Sequence, residues 1–275
     1  MAKISATEVA KLRKMTGAGM MDCKTALEET NGDFDAAIDI LRKKGQKLAS
    51  KRADREATEG AVLAKVSADN KTAVIISLNC ETDFVAKNAD FVAFAQQILD
   101  LAVANLPESL DALKELILAN GSTIADEITN QIGVIGEKID LGAYERVSGE
   151  SAFAYIHTGN KLSSIVALNM EGIDVEVGKN VAMQIAAMSP IAIDKDDVPK
   201  KIIDKEIEIG KELAIQEGKP ADMAEKIAIG RLNKFFQEST LLNQAFVRNN
   251  KETIKQYLQS VNKDLTVVAF NRYGI

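Results

Sequence analysis

Two stretches decide the fold of this chain: GAVLAKVSADNKTAVIISLNCE at residues 60–81 and ESAFAYIHTGNKLSSIVALNME at residues 150–171. At an offset of 90 residues they share seven identities in 22 aligned positions. Each copy has two apolar runs around a polar turn, the pattern of a β-hairpin. An amphipathic helix follows each hairpin, at 89–104 and 178–188. Such a duplication predicts an α+β fold in which two related α/β subdomains form the core.

Ahead of the first copy, residues 1–45 carry the signals of a small three-helix module. Ser5 and Glu8 have the spacing of a capping box at the start of the first helix. Asp33 is a candidate cap for the third helix, and Gly45 is expected to end it. The module is then followed by a predicted linker.

This linker, at 46–58, is rich in Lys, Arg, Ala and Glu and is predicted to be a charged helical segment. Residues 1–55 hold 12 Lys/Arg against 8 Asp/Glu, so this end carries +4 in a chain of net charge −6. The basic excess concentrates in 42–55. It is interpreted as a solvated helix end and linker, with nucleic-acid binding as the alternative.

Further elements extend both copies of the repeat. More helix is predicted at 108–120, followed by a strand at 134–147. Residues 194–219 are predicted to form one helix, and Pro220 suits the first turn of the next, so the two helices make an antiparallel hairpin. The chain therefore divides into a first core subdomain at 59–148, a second at 149–193 and 236–275, and an inserted hairpin at 194–235.

Composition excludes several classes of protein and site. Apolar residues make up 46% of the 275 residues, enough for a packed core, and no apolar run approaches the length of a bilayer span. No glycine loop precedes a Lys-Ser/Thr pair, as a phosphate-binding loop requires. One histidine and two separated cysteines provide neither a metal cluster nor an evident nucleophile–base pair. We expect a cytoplasmic binding protein without a cofactor or metal, and not an enzyme.

Apolar residues in polar surroundings are the candidate binding residues. Phe84 and Val85 lie in the polar loop after the first copy, and Met20 and Met21 follow a glycine-rich turn. Each pair either packs onto its own core or is offered to a partner. For Phe84 the packed alternative is favoured by residue type, because a single exposed phenylalanine is uncommon. His157, near a strand end, is either structural or a partner contact.

Two segments give the chain a family resemblance: TGAGMMDCK at 16–24 and NCETDFV at 79–85. They resemble the signature segments of bacterial translation elongation factor Ts, and the likeness extends over almost the whole chain. The resemblance implies a ubiquitin-associated-like module at 1–45, a two-part α/β core and a coiled-coil insertion. It also implies guanine nucleotide exchange on elongation factor Tu, the GTPase that carries aminoacyl-tRNA to the ribosome.

The resemblance further implies how exchange occurs. The loop after the first copy would enter the GTPase, with Phe84 between partner helices and Asp83 in polar contact beside it, and would displace Mg²⁺ and disturb the phosphate site. The partner would be bound preferentially when nucleotide-free, and this chain would itself bind neither nucleotide nor metal. The implied contact residues are Thr82, Asp83, Phe84 and Val85 in the loop, and Gly17, Gly19, Met20 and Met21 in the module, with His157 as a further candidate.

Some alternatives stay open at this point. The chain ends at Ile275 without the C-terminal helical module of longer family members, so no contact of that module is carried over. The hairpin fits either self-association as a homodimer or contact with the partner. An RNA-binding translation accessory protein that uses 42–55 is the alternative function, although no aromatic residue interleaves that segment to stack on bases.

Overall fold

The computed structural model describes residues 4–275 and begins with a bundle of three helices. The capping predictions are confirmed, because Ser5 and Glu8 each accept from the other's backbone N–H, and Asp33 accepts from the N–H of Ala36 in the first turn of the third helix. Gly17, with φ 71°, ends the first helix in the left-handed conformation that glycine adopts most readily. The helices are α1 (Ala6–Thr16), α2 (Met20–Glu29) and α3 (Phe34–Arg52).

The first copy of the repeat forms a three-stranded antiparallel sheet, and its helices lie between the second and third strands in the sequence. The strands β1 (Glu59–Val66), β2 (Thr72–Cys80) and β3 (Ile139–Ser148) lie in that order. The helices are α4 (Asp83–Ala86), α5 (Ala89–Asn105), α6 (Leu110–Lys114) and α7 (Ile124–Ile135). The strand predicted from residue 134 begins later, because α7 occupies that position and Gly136, with φ 82°, turns the chain into β3.

The second copy also forms a three-stranded antiparallel sheet. Its order is β4 (Ser151–Ile156), β5 (Leu162–Leu168) and β8 (Val267–Gly274). The intervening elements are α8 (Val175–Met188), α9 (Lys200–Gln216), α10 (Ala221–Ser239), the short pair β6 (Ala245–Phe246) and β7 (Asn249–Thr253), and α11 (Ile254–Val261). The chain is thus a mixed structure of helices and antiparallel sheets, as the α+β prediction required.

Helices α9 and α10 form the predicted antiparallel hairpin, but its first helix starts late. Asp194 caps a separate 3₁₀ turn, and α9 begins only after Pro199. Within the hairpin, Gly210 lies so close to Ala228 that an added Cβ would sit 3.1 Å from the Cα of Ala228. At its base, a parallel bridge joins the backbone before α9 to Thr240. The hairpin therefore leaves and re-enters the core at neighbouring points.

The two sheets face each other across an apolar layer and exchange hydrogen bonds at their turns. Asn70 and Asn160, at equivalent turns, have φ values of 57° and 58°. The carbonyl of Asn70 accepts from the N–H of Ala152 at 2.7 Å, and the carbonyl of Asn160 accepts from the N–H of Val62 at 2.7 Å. The shared layer contains Val62, Ala64, Ile75, Ala152, Ile165 and Ala167.

The N-terminal bundle packs on the first sheet's helices through two glycines. The prediction that Gly45 ends the third helix is wrong. Gly45 is buried within α3 and faces Gly133 of α7. A Cβ on Gly45 would lie 3.1 Å from the carbonyl oxygen of Thr129. The absence of side chains at this crossing lets the two helix backbones approach closely. The first part of the predicted linker, up to Arg52, is consequently a continuation of α3.

Candidate partner-binding site

The segment after β2 is a single helical turn rather than the predicted loop. Thr82 caps it, since its side-chain oxygen accepts from the N–H of Val85. Ala86 is buried and Val85 is partly buried against the core, whereas Phe84 is 84% exposed. The alternative in which Phe84 packs into its own core is therefore wrong. The turn is anchored on one side and presents an aromatic ring to solvent on the other.

A carboxylate from a distant part of the sequence contacts this turn. Glu137, in the connection between α7 and β3, accepts hydrogen bonds from the N–H groups of Glu81 at 3.1 Å and Thr82 at 3.0 Å. Its other oxygen accepts from the hydroxyl of Thr82 at 2.6 Å. In return, the carboxylate of Glu81 accepts from the N–H of Lys138 at 2.6 Å. The register explains this pairing, because Cys80 lies opposite Ile139 at the end of the β2–β3 ladder.

Glu81 also links the turn to the end of the N-terminal bundle. Its carboxylate accepts from Arg52 at 2.7 Å and from Arg55 at 2.9 Å, and Lys138 bonds the carbonyls of residues 53 and 55. Burial opposes ionisation of Glu81, but the N–H of Lys138 and the two guanidinium groups lower its pKa to about 2. The carboxylate is thus charged at neutral pH and is shared by both parts of the chain.

Beside Phe84, the carboxylate of Asp83 pairs with Lys87 at 2.6 Å, one helical turn later. This hydrogen bond and the charge of Lys87 lower the pKa of Asp83, with a smaller effect from Lys161. Lys161 lies in the β4–β5 turn and also pairs with Glu59 at 2.6 Å. The second sheet therefore adds positive charge near the Phe84 turn.

A groove next to Phe84 joins the turn to the N-terminal bundle. It has a volume of about 500 Å³, and Gly17 reaches it from the end of α1 while Val134 and Ile135 reach it from α7. Phe84, Val85 and Phe91 line the opposite wall. The two sequence segments that carry the family resemblance thus meet at one surface.

Comparison with known proteins identifies the family. Residues 81–275, more than two thirds of the chain, match the family model described as elongation factor Ts. The chain belongs to the elongation factor Ts family. This chain is 55% identical to the elongation factor Ts of Amoebophilus asiaticus over 98% of both chains. The elongation factor Ts of Porphyromonas gingivalis is 52% identical over 99% of this chain and 98% of its own, and that of Cytophaga hutchinsonii is 52% identical over all of both.

The remaining residues implied by the elongation factor Ts resemblance are exposed in the structure. Met20 and Met21 are 49% and 69% exposed at the start of α2, so the alternative in which they fill a small core is wrong. Met20 and Gly17 line a second, shallower depression on α1. Gly19 is also exposed. Met20 therefore extends the surface that begins at Gly17.

His157 lies apart from this groove. It follows β4, it is exposed, and its Nδ1 lies 3.0 Å from the hydroxyl of Tyr155. Its backbone closes the β4–β5 turn, because its N–H donates to the carbonyl of Leu162 at 2.8 Å and its carbonyl accepts from Asn160. The side chain is accessible to a partner that covers this turn, which also carries Lys161.

Sequence reasoning missed Glu137, Arg52 and Arg55 as components of this site. Glu137 stands in a Gly-Glu-Lys sequence with no distinctive spacing, and its partners lie more than 50 residues away. The two arginines were grouped with a solvated basic segment. The pairing of β2 with β3 brings Glu137 to the turn, and the end of α3 brings Arg52 and Arg55 to Glu81. In the described part of the chain, no three His, Cys, Asp or Glu side chains are gathered as metal ligands. Among residues 4–275, no helix is both long and apolar enough to cross a membrane.

Proposed function

We propose that this chain releases GDP from elongation factor Tu by inserting the turn formed by Thr82, Asp83, Phe84 and Val85 into the GTPase. The role of guanine nucleotide exchange factor for elongation factor Tu follows from family membership over the whole chain. The observation that supports this turn as the acting group is the 84% exposure of Phe84 on an anchored helical turn. A large apolar side chain left in water by its own fold is the kind of residue that forms an interface hot spot.

The release mechanism acts on the partner's Mg²⁺ and phosphate site. Mg²⁺ bridges a nucleotide's phosphates and the GTPase and neutralises their charge. A side chain that moves the elements holding Mg²⁺ leaves the phosphates poorly compensated, so GDP dissociates faster. To shift the equilibrium, the chain must bind the nucleotide-free GTPase more tightly than the loaded one. By linkage, nucleotide and exchange factor then weaken each other's binding equally. This action requires no bond making or breaking by the chain, so we assign it no catalytic side chain and no cofactor.

A second part of the proposal is that the N-terminal bundle docks on the same partner. Its exposed Met20 lines a depression together with Gly17, which also reaches the groove beside Phe84, and the adjacent Met21 is exposed as well. Adaptable methionine side chains suit a docking surface. His157, which lies apart from the groove, is a further candidate contact in the β4–β5 turn, and we place the interaction in the cytoplasm, where translation occurs.

We also propose how the chain divides into structural units. The units are the ubiquitin-associated-like module at 1–45, the linker at 46–58, core subdomains at 59–148 and at 149–193 with 236–275, and the coiled-coil hairpin at 194–235. Separate buried clusters in the bundle and beneath each sheet support this division. Exposed apolar side chains on the hairpin, such as Leu213, Ile215 and Met223, support pairing with a second copy.

The alternative of RNA binding through 42–55 has no support. The family is one of translation elongation factors, and two of the basic residues in that segment, Arg52 and Arg55, are paired with Glu81. The proposed function is tested by loading purified elongation factor Tu with fluorescent GDP and following its release in excess unlabelled GDP. Addition of this chain should accelerate release, and Phe84→Ala should remove most of the acceleration. Release at the spontaneous rate with the unsubstituted chain would refute the function.

A further inference from the structure

We propose that Glu137 is a positioning residue for nucleotide exchange, because its carboxylate fixes the backbone and the cap of the turn that presents Phe84. This inference rests on the proposed function and deepens it. Glu137 is half-buried between α7 and β3, and three hydrogen bonds run to it from Glu81 and Thr82. It does not belong to either segment that carries the family resemblance.

The first step of the argument concerns the hydroxyl of Thr82. This hydroxyl donates a hydrogen bond to Glu137 at 2.6 Å, which leaves its lone pairs free to accept from the N–H of Val85. One hydroxyl therefore serves as both the donor to Glu137 and the cap of the helical turn. Without Glu137, the Thr82 side chain loses the partner that fixes its rotamer, and the cap is weakened.

The second step concerns the backbone before the turn. The backbone hydrogen bonds of the β2–β3 ladder end at the Cys80–Ile139 pair. Beyond this pair, the two segments are joined by hydrogen bonds between a side chain of one and the backbone of the other. The carboxylate of Glu137 accepts hydrogen bonds from the N–H groups of Glu81 and Thr82, and the carboxylate of Glu81 accepts one from the N–H of Lys138. Each glutamate thus satisfies backbone groups of the opposite segment. This reciprocal arrangement, here termed the glutamate clasp, continues the sheet into the turn.

The third step concerns Phe84 itself. Because this ring is 84% exposed, packing within its own fold does not hold it in place. Its direction is set by the backbone of the turn, which consists of only four residues. A displacement of about 1 Å in a group that must enter a partner can reduce a rate about 100-fold. The clasp therefore determines whether Phe84 is aimed correctly before the partner arrives.

The test compares three variants of the full-length chain in the GDP-release assay at increasing concentrations of the chain. Glu137→Ala should lower the maximal release rate about tenfold or more, with a smaller change in the half-saturating concentration, because the N-terminal bundle still docks. Glu137→Gln should stay close to the unsubstituted chain, since its amide oxygen can accept from both N–H groups and its NH₂ can donate to the Thr82 hydroxyl. Glu127→Ala, which removes a carboxylate of α7 bonded only to neighbouring side chains, is the matched control and should be unchanged.

Amide hydrogen exchange provides a readout that does not depend on the partner, and its measurement on the unsubstituted chain does not depend on a variant folding. In the unsubstituted chain, the amides of Glu81 and Thr82 should exchange slowly, and in Glu137→Ala they should exchange faster while the β2 amides stay protected. Rapid exchange of both amides in the unsubstituted chain would overturn the inference. A normal maximal rate in Glu137→Ala would also overturn it, provided that the unsubstituted chain is active and Phe84→Ala is not. An inactive unsubstituted chain would instead refute the proposed function.

Discussion

Replacing Phe84 by alanine should separate binding from folding. Complete burial of a phenylalanine side chain stabilises a protein by about 1.5–3 kcal/mol. Phe84 is 84% exposed, so the covered sixth of its surface contributes about 0.5 kcal/mol or less. A hot spot in the interface is worth about 2 kcal/mol or more, which corresponds to about a 30-fold loss of affinity for the GTPase. We therefore expect a nearly unchanged free energy of unfolding and a severe loss of exchange.

The assay pairs a urea melt of each variant with its rate of fluorescent GDP release from elongation factor Tu. Phe94→Ala is the matched control for stability, because Phe94 is 7% exposed in the core beneath the first sheet. Its removal should cost about 3–5 kcal/mol of the free energy of unfolding. Ile117→Ala, an exposed apolar residue away from the groove, is the control for exchange and should release GDP at the unsubstituted rate.

One combination of results would refute this reasoning. If Phe84→Ala lost several kcal/mol of stability yet released GDP normally per folded molecule, the ring would be a structural anchor and not the acting group.

Asp83→Ala should slow release as well, and the double variant should be slower than either single variant, because the two side chains share one turn.

Four further outcomes are expected. Replacing both Met20 and Met21 by serine should raise the dissociation constant for elongation factor Tu about tenfold, about 1.4 kcal/mol, with an unchanged melt; equal titration curves would contradict this. Replacing 199–236 by a short linker should leave a cooperative thermal transition and measurable exchange, so a folded but inactive variant would show that the hairpin acts in release. Gly45→Val should lower stability by about 1–3 kcal/mol in a urea melt, because its side chain meets the Thr129 carbonyl at the α3–α7 crossing. Folding lowers the pKa of Glu81 from 4.5 to about 2, so the stabilisation that this carboxylate gives the folded chain is complete above about pH 4.5 and is lost as the pH falls toward about 2. The difference in stability between the unsubstituted chain and Glu81→Gln should therefore shrink over that interval. A constant difference would contradict this expectation.

The sequence was most informative where local chemistry decides local structure. The capping signals at Ser5 and Asp33 are sufficient to place helix starts, because the side chain and the N–H that it bonds are only three residues apart. The two hairpins are recognisable from the paired apolar runs of each copy and from their shared Asn-Lys turns. Helix α7 was not predicted, although Ile124, Ile128 and Ile132, which are all buried in it, have the spacing of one helix face.

Errors occurred where a residue serves a partner distant in sequence. A glycine that permits close helix packing has the same local pattern as one that ends a helix, so the sequence alone does not show that Gly45 lies opposite Gly133. Arg52 resembled any solvated arginine of a basic segment, yet it pairs with Glu81. Phe84 is the opposite case, because its residue type favoured a buried position and only the three-dimensional structure shows the ring in solvent.

The reciprocal bonds between the turns at Asn70 and Asn160 are made in the same way by both copies of the repeat. Each copy supplies a carbonyl from its turn and receives one at the N–H of its first strand, at positions exactly 90 residues apart in the aligned repeat. Two identical copies related by a twofold axis would satisfy the same pair of bonds. Because both copies belong to one chain here, the contact is kept while the halves differ: the first carries the exposed Phe84 and the second carries the inserted pair of helices.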